Sequence, residues 1–139
     1  MKQKFFDLSI KTEGQNLYEF TNQTQDWIKK NKFMDGILNL GIQHTSASLI
    51  VQENADPDVK TDLLNYFDKI VPMDPSNYIH VTEGKDDMPA HIKSALTNNN
   101  LTFSVKNGKL ILGTWQGIYL FEHRIEPKTR IILHHFLGN

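Results

Sequence analysis

Phe6, Leu8 and Ile10 alternate with polar residues near the start of the chain, which predicts a half-buried strand over residues 3–11. Leu17, Phe20, Trp27 and Ile28 then recur at helical spacing and predict a helix over about 16–31. From Gly36 the alternation returns through Leu38, Leu40 and Ile42, and the strand is expected to continue past His44 to Val51. Asp56-Pro57 has the form of an N-cap followed by proline at the first helical position, where no N–H is needed. Val59, Leu63, Phe67 and Ile70 line one face of the helix that follows, which ends near Pro72. Residues 72–90 hold Pro72, Pro75 and Pro89 and read mostly as loop, with a short strand at Tyr78–Val81 and a short helix from about Met88 to Leu96. Leu101, Phe103 and Val105 alternate, Asn107-Gly108 is a hairpin turn, and Leu110 and Leu112 resume the pattern. Further strands are expected over 118–123 and 129–137. The sum is a single α+β domain over residues 1–139, mainly antiparallel β-sheet with about three helices packed on it.

Charge and composition narrow the function more than the fold. The chain has 139 residues, and 15 Lys+Arg against 16 Asp+Glu give a formal charge of −1. That balance excludes the broad basic surface by which proteins hold nucleic acid, while a small local anion site stays open. Cysteine is absent, which excludes disulfides, thiolate metal sites and a cysteine nucleophile. No stretch reaches the roughly 18 apolar residues of a membrane span, and Asp7 interrupts any apolar run after Lys2 and Lys4. A cytoplasmic protein is expected. What remains is six histidines, at 44, 80, 91, 123, 134 and 135. Histidine is the side chain most useful for metals and for proton transfer near neutral pH.

Three segments concentrate candidate chemistry. On one face of the expected strand, His44, Ser46 and Ser48 follow the apolar Leu38, Leu40 and Ile42. The stripe marks either a solvent-lined pocket, with His44 on a metal and the hydroxyls on phosphate oxygens, or a turn that shifts the register, or a sheet that emerges into water. The second segment runs from His80 to His91, with Asp87 four residues before His91 at a helix start. The positive end of that helix keeps a histidine neutral and attracts phosphate, although Asp86 and Asp87 are equally ordinary capping residues. The third is Glu53, a candidate base or magnesium ligand just after the strand. Trp115 lies between Gly113 and Gly117, where an indole either stacks on a heterocycle or fills the core. Arg124 offers a cation, or a sheet-edge ion pair with Glu122. His134 and His135 point to opposite faces of the last strand and receive no role.

In chain order, His44-Thr-Ser-Ala-Ser, Glu53-Asn-Ala-Asp-Pro57, Glu83-Gly-x-Asp-Asp-Met-Pro-Ala-His91, Asn107-Gly-x-Leu-x-Leu-Gly-Thr-Trp-Gln-Gly-Ile118 and Glu122-His-Arg124 resemble the YjbQ-like family. The match is dense over residues 37–124 and looser at both ends. The resemblance implies an α+β fold, a homotrimer and a site built from these polar residues. It also implies a secondary thiamine-phosphate synthase activity: hydroxymethylpyrimidine diphosphate condenses with thiazole phosphate and pyrophosphate is released. His44, His80, His91, Glu53, Asp87, Gln116 and Arg124 match the family's positions. In that reaction His44, Glu53 and Asp87 are the catalytic candidates, the two carboxylates holding a divalent ion. Ser46, Ser48 and Arg124 would stabilise the leaving diphosphate, Trp115 would stack on one heterocycle, and Gln116 is a further substrate-binding candidate. Two alternatives stay open. One is a metal-dependent hydrolase of a small phosphorylated substrate, with Zn²⁺ on His44, His80 and His91 and Glu53 as base. The other is a non-catalytic trimeric binding protein.

Overall fold

The first and last strands of the described chain, residues 1–139 of a computed structural model, lie side by side. β1 (Lys2–Thr12) runs antiparallel to β8 (Lys128–Gly138) over its whole length. β8 also pairs with β3 (Gly36–Ile42), which pairs with β5 (Asn100–Lys106) and through it with the short β6 (Lys109–Leu110), giving a five-stranded sheet. A three-stranded sheet forms in the order β2 (Asn16–Glu19), β7 (Gln116–Glu122) and β4 (Ala47–Glu53). Every ladder is antiparallel.

The inward residues of both sheets build one core, in which Leu38, Leu40, Leu49, Leu120, Ile132 and Phe136 are fully buried. α1 (Thr21–Lys30) contributes Trp27 and Ile28 to it. α2 (Pro57–Ile70) lies on the outer face of the small sheet, where Leu63, Leu64 and Phe67 pack against Leu17, Tyr119 and Phe121. Asp56 caps α2 as its position predicts, accepting from the Asp58 N–H at 2.9 Å. Asn107 and Gly108 both have positive φ, 51° and 75°, the backbone that a two-residue hairpin turn requires between β5 and β6.

Three expectations are corrected. The predicted helix over 16–31 is a strand followed by a helix, because Leu17 pairs with Phe121 in the small sheet and α1 starts only at Thr21. Leu17 and Phe20 share a helical interval by coincidence. The strand expected from Gly36 to Val51 is two strands in different sheets, β3 and β4, with a turn over residues 43–46. His44, Ser46 and Ser48 therefore do not share a strand face. Residues 78–81 have no ladder partner; a 3₁₀ turn at Pro75–Asn77 precedes them and they stay irregular. The third helix, α3, spans Asp87–Leu96 as expected within one residue.

Candidate metal centre

The ladder between β4 and β7 separates the candidate residues into two groups. Ala47 pairs with Glu122 at one end and Glu53 with Gln116 at the other, about 20 Å away at 3.3 Å per residue. His44, Ser46, Ser48, His80, Asp87, His91 and Arg124 gather at the first end. Glu53, Trp115 and Gln116 gather at the second, where Glu53 lines a cavity of about 230 Å³ with Glu19, Asn54, Lys60 and Tyr119. Trp115 is not a core residue; it is 62% exposed in the loop before β7. Gln116 Oε1 accepts the Gly113 N–H at 2.7 Å and holds that loop.

At the first end, one acidic residue draws two histidines together. Asp87 opens α3 and is buried, while His80 and His91 are partly exposed above it. His80 Nε2 lies 2.7 Å and His91 Nε2 3.0 Å from the same oxygen, Asp87 Oδ2. The ligand atoms of all three residues fall within 4.8 Å of one another, a grouping fit to hold a metal ion. The i, i+4 spacing of Asp87 and His91 stacks them on one helix face. Gly84, at a φ of +105°, turns the preceding chain so that His80 and Glu83 fold back over α3; a Cβ there would meet Asp86 Oδ1 at 2.9 Å.

Both ring nitrogens of His91 face oxygen. Nδ1 donates to the Thr45 carbonyl at 2.8 Å, and Nε2 lies 3.0 Å from Asp87 Oδ2, to which it donates unless a metal ion takes its lone pair. A carbonyl behind a ligating imidazole is the usual arrangement around bound zinc. Burial acts to raise the Asp87 carboxyl, but the bond from His80 and the charges of His91 and Arg124 outweigh it and hold it below the ordinary carboxylate range. Asp86 follows the same pattern: burial opposes, and the Ile125 N–H and the Arg124 guanidinium prevail.

Arg124 is a brace for this cluster. Nε donates to Asp86 at 2.9 Å, Nη1 to Asp87 at 2.6 Å and Nη2 to the Glu83 carbonyl at 3.0 Å. All three of its nitrogens are thus engaged within the chain. The sheet-edge pairing of Arg124 with Glu122 does not form, because Glu122 is wholly buried and its side chain takes Arg130 instead.

Ser46 and Ser48 also turn inward. Ser46 Oγ accepts from Arg130 at 2.9 Å. Ser48 is fully buried, 2.8 Å from His123 Nε2 and 2.6 Å from Thr97 Oγ1, which removes it from any ligand outside. His123 Nδ1 is buried with no partner, and burial followed by the charges of Lys93 and Arg130 pushes this histidine down to about 3. His134 and His135 do face opposite ways: His134 is buried, and His135 stacks on Phe5 at 4.2 Å.

His44 stands beside the cluster and outside it. It lines a cavity of about 260 Å³ together with Thr45, His91, Ser94 and Asn99. Its Nε2 accepts the Ile131 N–H at 3.1 Å. The side chains that the geometry brings within 4.8 Å of one another are His80, Asp87 and His91, and His44 is not among them.

Arg130 carried no weight in the sequence reading, yet it organises this end of the molecule. The signal was its place in β8, where it falls in the inward register with Ile132, His134 and Phe136. An arginine in a run of inward apolar positions needs a buried partner, and Glu122 is that partner.

Two antiparallel sheets with three helices, carrying a His-Asp-His cluster at the head of the last helix, define a small α+β protein with a candidate metal centre. The family model described as "UPF0047 protein YjbQ-like" matches residues 6–139, and the chain belongs to that family. It is 48% identical over 131 residues to the UPF0047 protein sll1880 of Synechocystis, covering 94% of this chain and 89% of the relative. It is 46% identical over 133 residues to YjbQ of Escherichia coli O157:H7, covering 94% of each. A crystal structure of an uncharacterised YjbQ/UPF0047 protein from Clostridium acetobutylicum superposes with a TM-score of 0.86 at 33% identity, covering 95% of this chain and 99% of that one. The conserved hypothetical protein TT1486 of Thermus thermophilus gives the same TM-score at 30% identity, with the same coverage. No helix is long and apolar enough to cross a membrane.

Proposed function

We propose that this protein is a metal-dependent enzyme acting on a small phosphorylated substrate, with a divalent ion on His80, Asp87 and His91. The observation that carries the reading is the convergence of His80 Nε2 and His91 Nε2 on Asp87 Oδ2, with the Thr45 carbonyl fixing the tautomer of His91. Two imidazoles and one carboxylate suit zinc better than magnesium, and three protein ligands leave a position open for substrate or water. An ion so held polarises a phosphoryl oxygen and offsets charge on a leaving phosphate. The chain's own residues do the rest. Arg124 and the Ile125 N–H hold Asp86 and Asp87 in place, and the cavity beside His91 receives the substrate.

The finer reading, condensation of hydroxymethylpyrimidine diphosphate with thiazole phosphate, draws its support from the family resemblance. The cavity beside His91, about 260 Å³, falls just under the common range of ligand pockets, about 300–1,000 Å³, and suits one small substrate. Two heterocycles would need the site to extend onto a neighbouring copy. The homotrimer implied by the resemblance would supply that copy, with its Glu53, Trp115 and Gln116. Metal-assisted hydrolysis of a single phosphorylated substrate needs only the one cavity. We place the enzyme in the cytoplasm. The test is product analysis with both substrates, and separately with single phosphorylated substrates, in zinc-loaded and chelated protein. Zinc-dependent turnover that His91→Ala abolishes is expected; equal trace turnover in all preparations would overturn the reading.

A further inference from the structure

We propose that His44 donates a hydrogen bond from Nδ1 to the bound substrate, beside the His80–Asp87–His91 cluster, and is not a metal ligand. The proposal rests on the reading of that cluster as the metal centre.

The reason lies in how the β3–β8 ladder ends. Its last pair is Ile42 with Ile132, after which β3 turns away. The next N–H along β8, that of Ile131, has lost its strand carbonyl, and the ring of His44 takes that carbonyl's place, accepting at Nε2 over 3.1 Å. A neutral imidazole that accepts at one nitrogen carries its proton on the other. His44 therefore presents Nδ1–H, and no group of the chain accepts from it.

Neither alternative state fits the surroundings. A second proton on Nε2 would point at the Ile131 N–H. It would also add charge beside the Arg130 guanidinium, which Glu122 and Ser46 hold in place. Burial and then Arg130 lower the pKa of His44 accordingly, with Glu122 opposing. A metal at Nδ1 would need an imidazolate, and a metal at Nε2 would have to displace a backbone N–H.

The donor is placed to be used. His44 and His91 share the wall of one cavity, and no lysine or arginine lines it. Residues 44 and 45 set both rings: His44 is anchored through its own Nε2, and the Thr45 carbonyl anchors His91. Ser94 Oγ is already donating to the Ala47 carbonyl at 3.2 Å. A phosphoryl oxygen that is not on the ion would meet a neutral donor here, and His44 Nδ1–H is the ring donor left for it.

Two substitutions separate this role from that of a strand-end cap. His44→Gln keeps an acceptor for the Ile131 N–H and removes the Nδ1 donor. His44→Asn keeps an amide donor near Nδ1 and removes the acceptor. The experiment measures zinc affinity, thermal stability and the affinity of zinc-loaded protein for inorganic phosphate, with imidazole ¹⁵N spectra to read the tautomer. Protonated Nδ1 is expected in wild type. His44→Gln should keep zinc affinity and stability and bind phosphate about ten- to a hundredfold more weakly. His44→Asn should lose stability but retain most of the phosphate affinity. A protonated Nε2, or zinc affinity falling in His44→Gln as far as in His91→Ala, would overturn the proposal. Unchanged phosphate binding in His44→Gln would leave His44 as a strand cap alone and overturn it equally. Wild-type protein that binds no zinc would instead overturn the metal-centre reading. Zinc-loaded wild type that binds no phosphate would overturn the donor role together with the phosphorylated substrate.

Discussion

Glu122–Arg130 and His80–Asp87–His91 are polar clusters at the same end of the molecule, joined through Arg124, and they differ in one respect that decides their use. In the first, every acceptor is answered from within. Glu122 takes Arg130 twice, Thr12 Oγ1 and the Arg124 N–H, at 2.6–3.1 Å. Both residues are buried. In the second, two imidazoles crowd one carboxylate oxygen and remain open to solvent, His80 at 43% and His91 at 31% of the side chain. A closed network, with its polar groups satisfied, specifies packing. An open one whose donors converge on a point is suited to an ion.

The largest predicted effect tests the closed half. Arg130→Met leaves a buried carboxylate without its cation and should cost about 3–5 kcal/mol in urea unfolding. Adding Glu122→Leu should recover most of that loss. A cost below about 1 kcal/mol for the single variant would mean that the pair is solvated and the contrast false.

The interior histidine His134 carries a pH signature of the same half. Burial pushes it down to about 4, and its Nε2 lies 2.9 Å from Thr24 Oγ1. The folded state thus keeps His134 neutral where the unfolded chain, with a pKa near 6.5, already binds a proton. Its contribution is fully present above about pH 6.5 and is lost as pH falls toward 4, by roughly 3 kcal/mol. Denaturant unfolding of wild type and His134→Gln across that window should show the steeper fall in wild type. Parallel curves would contradict the assignment.

The open half should respond in the opposite sense. His80→Ala should weaken zinc binding by about 100-fold, while stability without metal stays within about 0.5 kcal/mol. A variant that unfolds yet binds zinc normally would reverse the roles of the two clusters. The smallest effect lies outside both: Asp56→Ala removes the cap of α2 and should cost about 1 kcal/mol without touching zinc affinity.

Periodicity carried the fold further than the site. The α2 cap, the Asn107-Gly108 hairpin and α3 were legible because each rests on local chemistry. The split between β3 and β4 was half legible: the polar stripe from His44 to Ser48 allowed a turn, but only the pairing of β4 with β7 sends the chain to the other sheet. Asp87 and His91 were legible as an i, i+4 pair, and His80 came with the family motif. The anchoring of His44 was not legible, because its partner, the Ile131 N–H, is 87 residues away and is a backbone group that no side-chain pattern reveals. Arg124 was open between a substrate cation and an ion pair for the same reason: its partners Asp86, Asp87 and Glu83 lie in another segment.

The most direct test of the central claim is calorimetric titration of zinc into metal-stripped wild type and into the His80→Ala/His91→Ala double variant. The account predicts one zinc per chain in wild type and none in a double variant that remains folded. Equal binding by both proteins, or no stoichiometric zinc in wild type, would contradict it.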